Sequence, residues 1–170
     1  DLYVVGGFDQ ADGHLCNSIA KRVGGHWENV GDLSGFTAIP TIGDVALYQG
    51  NLVVGGVFHT PNDDLKNVMQ FDGSTWGPMG PGILGGVAGA MAFANYQGDL
   101  YMGGVFYQSA GNAGQSIMRW DGSQWNAVGH LQINDNSDQY AASVYSLAVH
   151  DGLLFAGGSF SFANHVPVPN

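Results

Sequence analysis

The chain has 170 residues, a formal net charge of −10 and only four basic residues. Because a surface of that sign repels phosphate backbones and anionic headgroups, nucleic acid and an acidic membrane surface are excluded as ready partners. An apolar fraction of 45%, with 28 glycines and 12% aromatic residues, excludes bulk disorder and fits short strands around one core, while no apolar run is long enough for membrane insertion.

Short β-patterned runs follow one another along the chain in a fixed order of four, which we label strands a to d. Residues 2–8 are predicted to form a strand b, and residues 19–30 to contain strands c and d. Two complete sets of four strands follow in residues 42–80 and 90–129. Residues 144–160 then supply strands a and b of a fourth set.

Tight turns are predicted between neighbouring strands. In the third set, the strands are placed at residues 90–97, 100–106, 117–120 and 124–128. Asp72-Gly73 and Asp121-Gly122 are typical of a primed two-residue turn between strands c and d, because such a turn needs positive φ and Asp-Gly adopts it at little cost. The turns from a to b are marked by Gln49-Gly50, Gln97-Gly98 and Asp151-Gly152.

An internal repeat underlies this order. Three tryptophans recur at a step of 49 residues, and the glycines four positions later keep the same step: Trp27, Trp76, Trp125, Gly31, Gly80 and Gly129. A period of this length suits a propeller blade of roughly 40–50 residues. Each Trp is predicted to pack between adjacent blades, burying on the order of 200 Å². The Gly-Gly pair of each strand b is predicted to let a neighbouring blade or a Trp approach closely.

The sequence therefore predicts an all-β fold, a β-propeller of four-stranded antiparallel blades with about three and a half blades present. We expect a single partial propeller domain over residues 1–170, with repeats at approximately 1–31 (strands b, c and d), 42–80, 90–129 and 144–170 (strands a and b). Since this set does not close a ring, we expect either a fragment of a longer chain or copies that close the ring together. The lone Cys16 is expected to be a buried small hydrophobe.

The repeat resembles those of kelch-like β-propellers. The runs LVVGGVF, LYMGGVF and LFAGGSF and the endings FDGSTW and WDGSQW are similar to the kelch order of double glycine, aromatic residue and Trp, although the turn before the Trp is shorter here. A closer likeness is to extracellular bacterial and fungal repeat proteins of the pattern LYVGGxF…WDGxxW, a group that includes cortical polarity proteins of the cell surface. The resemblance implies a secreted or cell-surface propeller. It carries over no catalytic residue, because the matched positions are structural.

Any site is expected in the long loops. In a four-strand meander the b–c loops and the d–a crossovers emerge on one face, whereas the opposite face has only tight turns here, and function on a rigid scaffold tends to lie in long loops. Two of these loops are rich in oxygen ligands, and the loops of this face also carry histidines. The candidate binding residues on this face are Asp9, Asp12, Asn17, Asn134, Asp135, Asn136, Asp138, His14, His59 and His130.

The side chains in these loops include possible metal ligands, but their spacing does not specify a metal site. Calcium takes six to eight oxygen ligands, and neither acidic loop has the EF-hand spacing. The alternative for the Asp and Asn residues is an Asx-turn in a solvated loop. The histidines could hold zinc only through tertiary assembly, and otherwise they are ordinary loop residues. We therefore expect no cofactor, with calcium as the ion left open.

The sequence predicts a non-enzymatic extracellular or cell-surface binding or adhesion module. Its expected partner is a protein or a glycan on the loop-rich face, or else the remaining blades of the same chain or another copy. One alternative is part of a propeller enzyme acting on polysaccharide, a lyase, glycosidase or oxidase, with paired carboxylates from separate blades. The other is a structural propeller that assembles with itself through open blade edges.

Overall fold

A computed structural model of the protein describes residues 1–33, 41–60, 66–85, 89–129, 131–132 and 142–168. In those ranges the strands pair antiparallel, and one short 3-10 helix lies at Gln108–Ala110. The chain divides into two compact units, Asp1–Gly82 and Ile83–Asn170. The prediction of an all-β antiparallel fold is confirmed.

The first unit contains a three-stranded sheet, a small hairpin and a four-stranded sheet. Its strands are β1 (Tyr3–Val5), β2 (Gln10–Ala11), β3 (His14–Leu15), β4 (Ile19–Val23), β5 (His26–Asn29), β6 (Thr41–Tyr48), β7 (Asn51–His59), β8 (Lys66–Phe71) and β9 (Trp76–Pro78). Sheet 1 has the order β1-β4-β5, and sheet 2 has the order β6-β7-β8-β9. Strands β2 and β3 pair with each other as a hairpin.

The second unit contains a four-stranded sheet, a two-stranded sheet and a small three-stranded sheet. Its strands are β10 (Gly89–Tyr96), β11 (Asp99–Val105), β12 (Ile117–Trp120), β13 (Trp125–Ala127), β14 (Leu131–Gln132), β15 (Ser143–His150), β16 (Leu153–Ser159), β17 (Phe162–Ala163) and β18 (Val166–Pro167). Sheet 3 has the order β10-β11-β12-β13, and sheet 4 consists of β15 and β16. A further small sheet has the order β14-β17-β18. The four-strand meanders predicted for the second and third sets are thus present in sheets 2 and 3.

Two stretches that we predicted as loops contain hairpins instead. Strands β2 and β3 lie within the first b–c loop, and β17 and β18 lie within the fourth. Their turns place both central residues at positive φ: Asp12 at 49° and Gly13 at 79°, and Asn164 at 49° and His165 at 64°. Asp, Asn and His adopt positive φ more often than most residues, so the first turn forms with one glycine and the second with none.

The turns from strand c to strand d differ in detail from the prediction. Gly73 has a φ of 99°, whereas Asp72 does not adopt positive φ. The Asp72 carboxylate instead accepts hydrogen bonds at 2.8 Å from the backbone N–H groups of Ser74 and Thr75. These bonds, led by that from Thr75, lower the pKa of Asp72 to about 2. The side chain of Asp121 accepts the same pattern of bonds, and its pKa is likewise lowered.

This turn predicts a pH dependence of stability. A carboxyl whose pKa falls on folding stabilises the fold above its unfolded pKa, and that stability is lost as the pH falls through its folded pKa. For Asp72 we expect the loss between about pH 4 and about pH 2. Urea unfolding of wild type and of the Asp72→Asn variant across that range checks this, and the variant should show a shallower decline. Equal slopes for the two proteins would contradict the role of the turn.

The core of the first unit lies between sheets 1 and 2. Ile19 and Val30 come from the region of sheet 1, and Val54, Phe58 and Met69 belong to sheet 2 or flank its strands. Ile19, Val54 and Met69 are completely buried. Alternate residues of a strand face opposite sides of its sheet. One side of sheet 1 therefore packs against one side of sheet 2, and their side chains interdigitate.

Trp76, one of the three repeated tryptophans, contacts sheet 1 in this core. The indole N–H of Trp76 donates a hydrogen bond to the carbonyl of Val30 at 3.2 Å. A Cβ added to Gly31 would collide with the Trp76 ring and lie 2.7 Å from Phe71. Trp76 therefore packs between sheets, as predicted, and the glycine that follows strand d of sheet 1 makes room for it.

The Gly-Gly pairs have two roles, one of which we did not predict. A Cβ on Gly103 would lie 3.0 Å from Cβ of Val144, so this glycine admits the next sheet, as predicted. In sheets 2, 3 and 4 the second glycine of the pair instead meets strand a of its own sheet. A Cβ on Gly56 would collide with the carbonyl of Thr41 and lie 2.8 Å from Cα of Ile42, where a register shift marks a bulge. Cys16 is fully buried and unpaired with another cysteine, as predicted.

Candidate functional site

The first acidic loop places its candidate residues around the β2–β3 hairpin. Asp12 lies at the tip and His14 in β3, and both are exposed. Asp9 precedes the hairpin, and its backbone carbonyl accepts a hydrogen bond from Cys16 N–H at 2.9 Å. Asn17 follows the hairpin and is half-buried. The hairpin thus separates these side chains along its length.

The hairpin reaches strands β4 and β5 of sheet 1. An Asp12 carboxylate oxygen lies 3.7 Å from the Arg22 guanidinium, which in turn lies 5.3 Å from the centroid of the Trp27 ring. The ring centroids of His14 and His26 are 6.3 Å apart. The structure therefore brings Asp12 and His14 next to basic and aromatic side chains that the sequence did not connect with them.

The other candidates are not brought to this place. His59 is exposed at the end of β7 in sheet 2. His130, Asn134, Asp135, Asn136 and Asp138 lie outside the described residues. Over the described ranges, no three His, Cys, Asp or Glu side chains lie together as a metal site requires. The loop-face site stays a prediction.

A groove lies elsewhere in the first unit, between sheets 1 and 2. This groove has a volume of about 400 Å³. It is formed by β1, by the end of β5 and by the tight turns of sheet 2. Its lining residues are Tyr3, Lys21, Glu28, Asn29, Val30, Gly31, Leu47, Gly50, Leu52, Phe71, Asp72 and Gly73. The sequence pointed to the opposite, loop-rich end of the sheets.

The groove combines aromatic surface with hydrogen-bonding groups. Tyr3 and Phe71 are half-buried and offer ring surface. The Lys21 ammonium lies 2.9 Å from the Asp1 carboxylate and 5.6 Å from the centroid of the Tyr3 ring. Since an ammonium group has three donors, an ion pair with one carboxylate leaves it able to donate to a ligand.

Two side chains from the end of strand d complete the polar rim. Glu28 is exposed, and its carboxylate is hydrogen-bonded to His26 at 2.9 Å. The amide of Asn29 donates to the Gly31 carbonyl at 2.6 Å, which fixes its orientation. The Asp72 carboxylate is held ionised by its turn, so it contributes a fixed negative charge. Such a groove can bind an uncharged polar molecule that also has an apolar face.

These residues lie on strands and tight turns, whereas the sequence predicts a site in the long loops. A signal was nevertheless present in strand c. Lys21 occupies the same position as Gln70 and Arg119, since each pairs with the strand d residue that directly follows the repeated Trp. A long polar residue therefore recurs at this position of strand c, which indicates a solvated surface next to the turns.

None of the described residues forms a helix of the length and apolarity that crossing a membrane requires.

The comparisons with known proteins do not identify a ligand for this groove. A scan against protein-family models finds no match, and a search of curated proteins finds none either, so the likeness to kelch repeats rests on the sequence motifs alone.

Proposed function

We propose that the protein is a non-enzymatic binding module, built from kelch-like propeller blades, that works outside the cell or at its surface and binds a glycan. The four-stranded meanders at the 49-residue step support the blade assignment. The packing of Trp76 on the preceding sheet supports it as well, because blades stack face to face. The composition, low in Lys and Glu, supports the extracellular setting.

The observation that carries the binding proposal is the groove between sheets 1 and 2. Its volume of about 400 Å³ lies within the range of small-molecule sites, roughly 300–1,000 Å³. Sugar rings present C–H surface on one face and hydroxyl groups at their edges. The rings of Tyr3 and Phe71 can pack against the C–H face of a sugar. The side chains of Lys21, Glu28 and Asn29 can form hydrogen bonds with its hydroxyl groups.

The charge of the protein narrows the ligand class. With a net charge of −10, the chain repels polyanionic polysaccharides at long range. The acidic groups at the groove, Glu28 and Asp72, add to that repulsion. We therefore propose a neutral glycan as the ligand.

The test compares two variants that each remove one negative charge. Glu28→Gln changes the groove, and Asp151→Asn changes an exposed turn in the second unit. After a glycan array identifies a neutral binder, calorimetry should show about tenfold weaker binding for Glu28→Gln, because a hydrogen bond to a charged group contributes roughly 1.5–3 kcal/mol. Asp151→Asn should bind as wild type does.

Three results would overturn this proposal. The first is an array on which no neutral glycan binds the wild-type protein. The second is equal weakening by both substitutions, since that would reflect net charge instead of the groove. The third is turnover of a bound polysaccharide, detected as new reducing ends or unsaturated products, which would favour the enzyme alternative.

A further inference from the structure

Four Asp-Gly pairs lie in the turns of hairpins, and their aspartates differ in what holds the carboxylate. The pairs are Asp12-Gly13, Asp72-Gly73, Asp121-Gly122 and Asp151-Gly152. An Asp followed by Gly is prone to close into a succinimide, because glycine has no side chain to hinder the attack of its nitrogen on the aspartyl carboxyl. In sequence the four pairs are alike, so any difference in their reactivity has to come from the fold.

In two of the pairs, both carboxylate oxygens accept hydrogen bonds. Oδ1 of Asp72 accepts from the N–H groups of Ser74 and Thr75 at 2.8 Å, and Oδ2 accepts from the hydroxyl of Thr75 at 3.3 Å. Oδ1 of Asp121 is held by its turn in the same way, and Oδ2 accepts from the side-chain amide of Asn126 at 2.7 Å. A carboxyl oxygen must leave as water when the succinimide closes, so these bonds would first have to break.

The other two pairs have a different geometry. Asp12 and Asp151 both have a φ of 49°, in the left-handed region that residues other than glycine seldom adopt. The carboxylate of Asp12 lies 3.7 Å from the Arg22 guanidinium, and that of Asp151 lies 3.3 Å from the His150 imidazole. Over the described ranges, neither accepts a hydrogen bond from an N–H group of its own turn. Their side chains are 59% and 84% exposed, so both carboxyls can rotate and exchange protons with water.

We propose that the folded protein forms isoaspartate at Asp12 and Asp151, and that the turns of the other two pairs protect their aspartates. The glycine nitrogen attacks Cγ of the aspartate and a C–N bond forms. One carboxyl oxygen leaves as water, taking the carboxyl proton and the amide hydrogen. Water then opens the ring. Opening at the side-chain carbonyl restores aspartate, whereas opening at the main-chain carbonyl gives isoaspartate, in which the main chain runs through Cγ.

The expected difference in rate follows from the state of the carboxyl. The neutral carboxyl loses water more readily than the carboxylate does. Because the pKa of Asp72 is lowered to about 2, its neutral form is scarcer by about tenfold or more. The pKa of Asp121 is lowered too. We therefore expect isoaspartate to accumulate about tenfold faster at the two free turns than at the two protected ones. The reaction does not depend on glycan binding.

The test incubates the folded, full-length protein at neutral pH in water enriched in heavy oxygen. Protease peptides are then mapped by mass spectrometry with electron-transfer fragmentation, which distinguishes isoaspartate from aspartate and locates the label. Label and isoaspartate should accumulate in the peptides of Asp12 and Asp151. The same protein unfolded in urea is the control, and there all four pairs should react at similar rates, since each is an Asp-Gly pair without its turn.

Two variants test the cause of the difference. Asn126→Ala removes the donor to Oδ2 of Asp121, so isoaspartate there should increase severalfold while Asp72 stays unchanged. Asp151→Glu should abolish the product in its own peptide and leave that at Asp12 as in wild type. Far-UV circular dichroism should show that both variants are folded.

Either of two results would overturn the proposal. The first is equal rates at all four pairs in the folded protein, since the turns would then give no protection. The second is a folded protein without isoaspartate at Asp12 and Asp151, when the urea-unfolded protein forms it. An unchanged rate at Asp121 in Asn126→Ala would contradict the protective role of the hydrogen bond to Oδ2.

Discussion

Replacing Gly56 by Ala should lower the free energy of unfolding of the first unit by about 3 kcal/mol, at the upper end of the cost of overpacking a core. The added Cβ would collide with the carbonyl of Thr41 and lie 2.8 Å from Cα of Ile42. Both obstacles are backbone atoms in the paired strand, so no side-chain rotation relieves the clash. The bulge between Ile42 and Asp44 would have to open.

Gly6→Ala is the matched control for this change. Gly6 holds the same repeat position in sheet 1, but the nearest atom to an added Cβ there is a ring carbon of Phe8 at 3.5 Å, an ordinary contact. We expect a change of less than about 0.5 kcal/mol, as for most substitutions without a clash. Hydrogen exchange of the β6 and β7 amides measures the free energy of unfolding of the first unit directly. Equal protection in the two variants would show that the bulge does not constrain Gly56.

Replacing Trp76 by Ala should cost about 3 kcal/mol, the lower end for a buried Trp, because the ring is half-buried. The change removes the ring from the core between sheets 1 and 2, leaves the Val30 carbonyl without its indole donor, and opens a cavity above Gly31. Urea unfolding followed by circular dichroism measures the loss.

Trp27→Ala provides the comparison for Trp76. Trp27 is half-buried too, but it lies under Arg22 and lines a groove of about 290 Å³ together with Val4 and Phe8. We expect a loss of about 1 kcal/mol, the value of an exposed cation–π contact. If both substitutions destabilise the protein equally, the tryptophans of the repeat do not differ in their contacts, and the assignment of the sheet-to-sheet face is wrong.

Strand order was predictable from the sequence because it depends on local signals. The step of 49 residues between Trp27, Trp76 and Trp125 located the sets of strands, and the Gln-Gly and Asp-Gly pairs located the turns. Gln49 and Gln97 have φ values of 49° and 53°, as a primed turn requires. These features need only neighbouring residues, so one sequence was sufficient to predict them.

The roles of single residues were less predictable because they depend on how sheets meet. Two adjacent glycines look alike in sequence, yet Gly103 faces Val144 of the next sheet and Gly104 faces Gly89 in its own. The hairpin at β2–β3 requires Asp12 in a conformation that Asp adopts in a minority of cases. The groove was missed for the same reason, since Tyr3 and Phe71 are far apart in sequence and meet only when sheets 1 and 2 stack.

Pairing between successive strands has a consequence for how the chain reaches its structure. In sheets 2 and 3 every strand is hydrogen-bonded to the one that comes next along the chain. The loops that must close are therefore short, and short loops cost little entropy to close and favour rapid folding. Each sheet can form as soon as its last strand has left the ribosome. Sheet 1 can then provide a preformed apolar surface on which sheet 2 condenses while the second unit is still being synthesised.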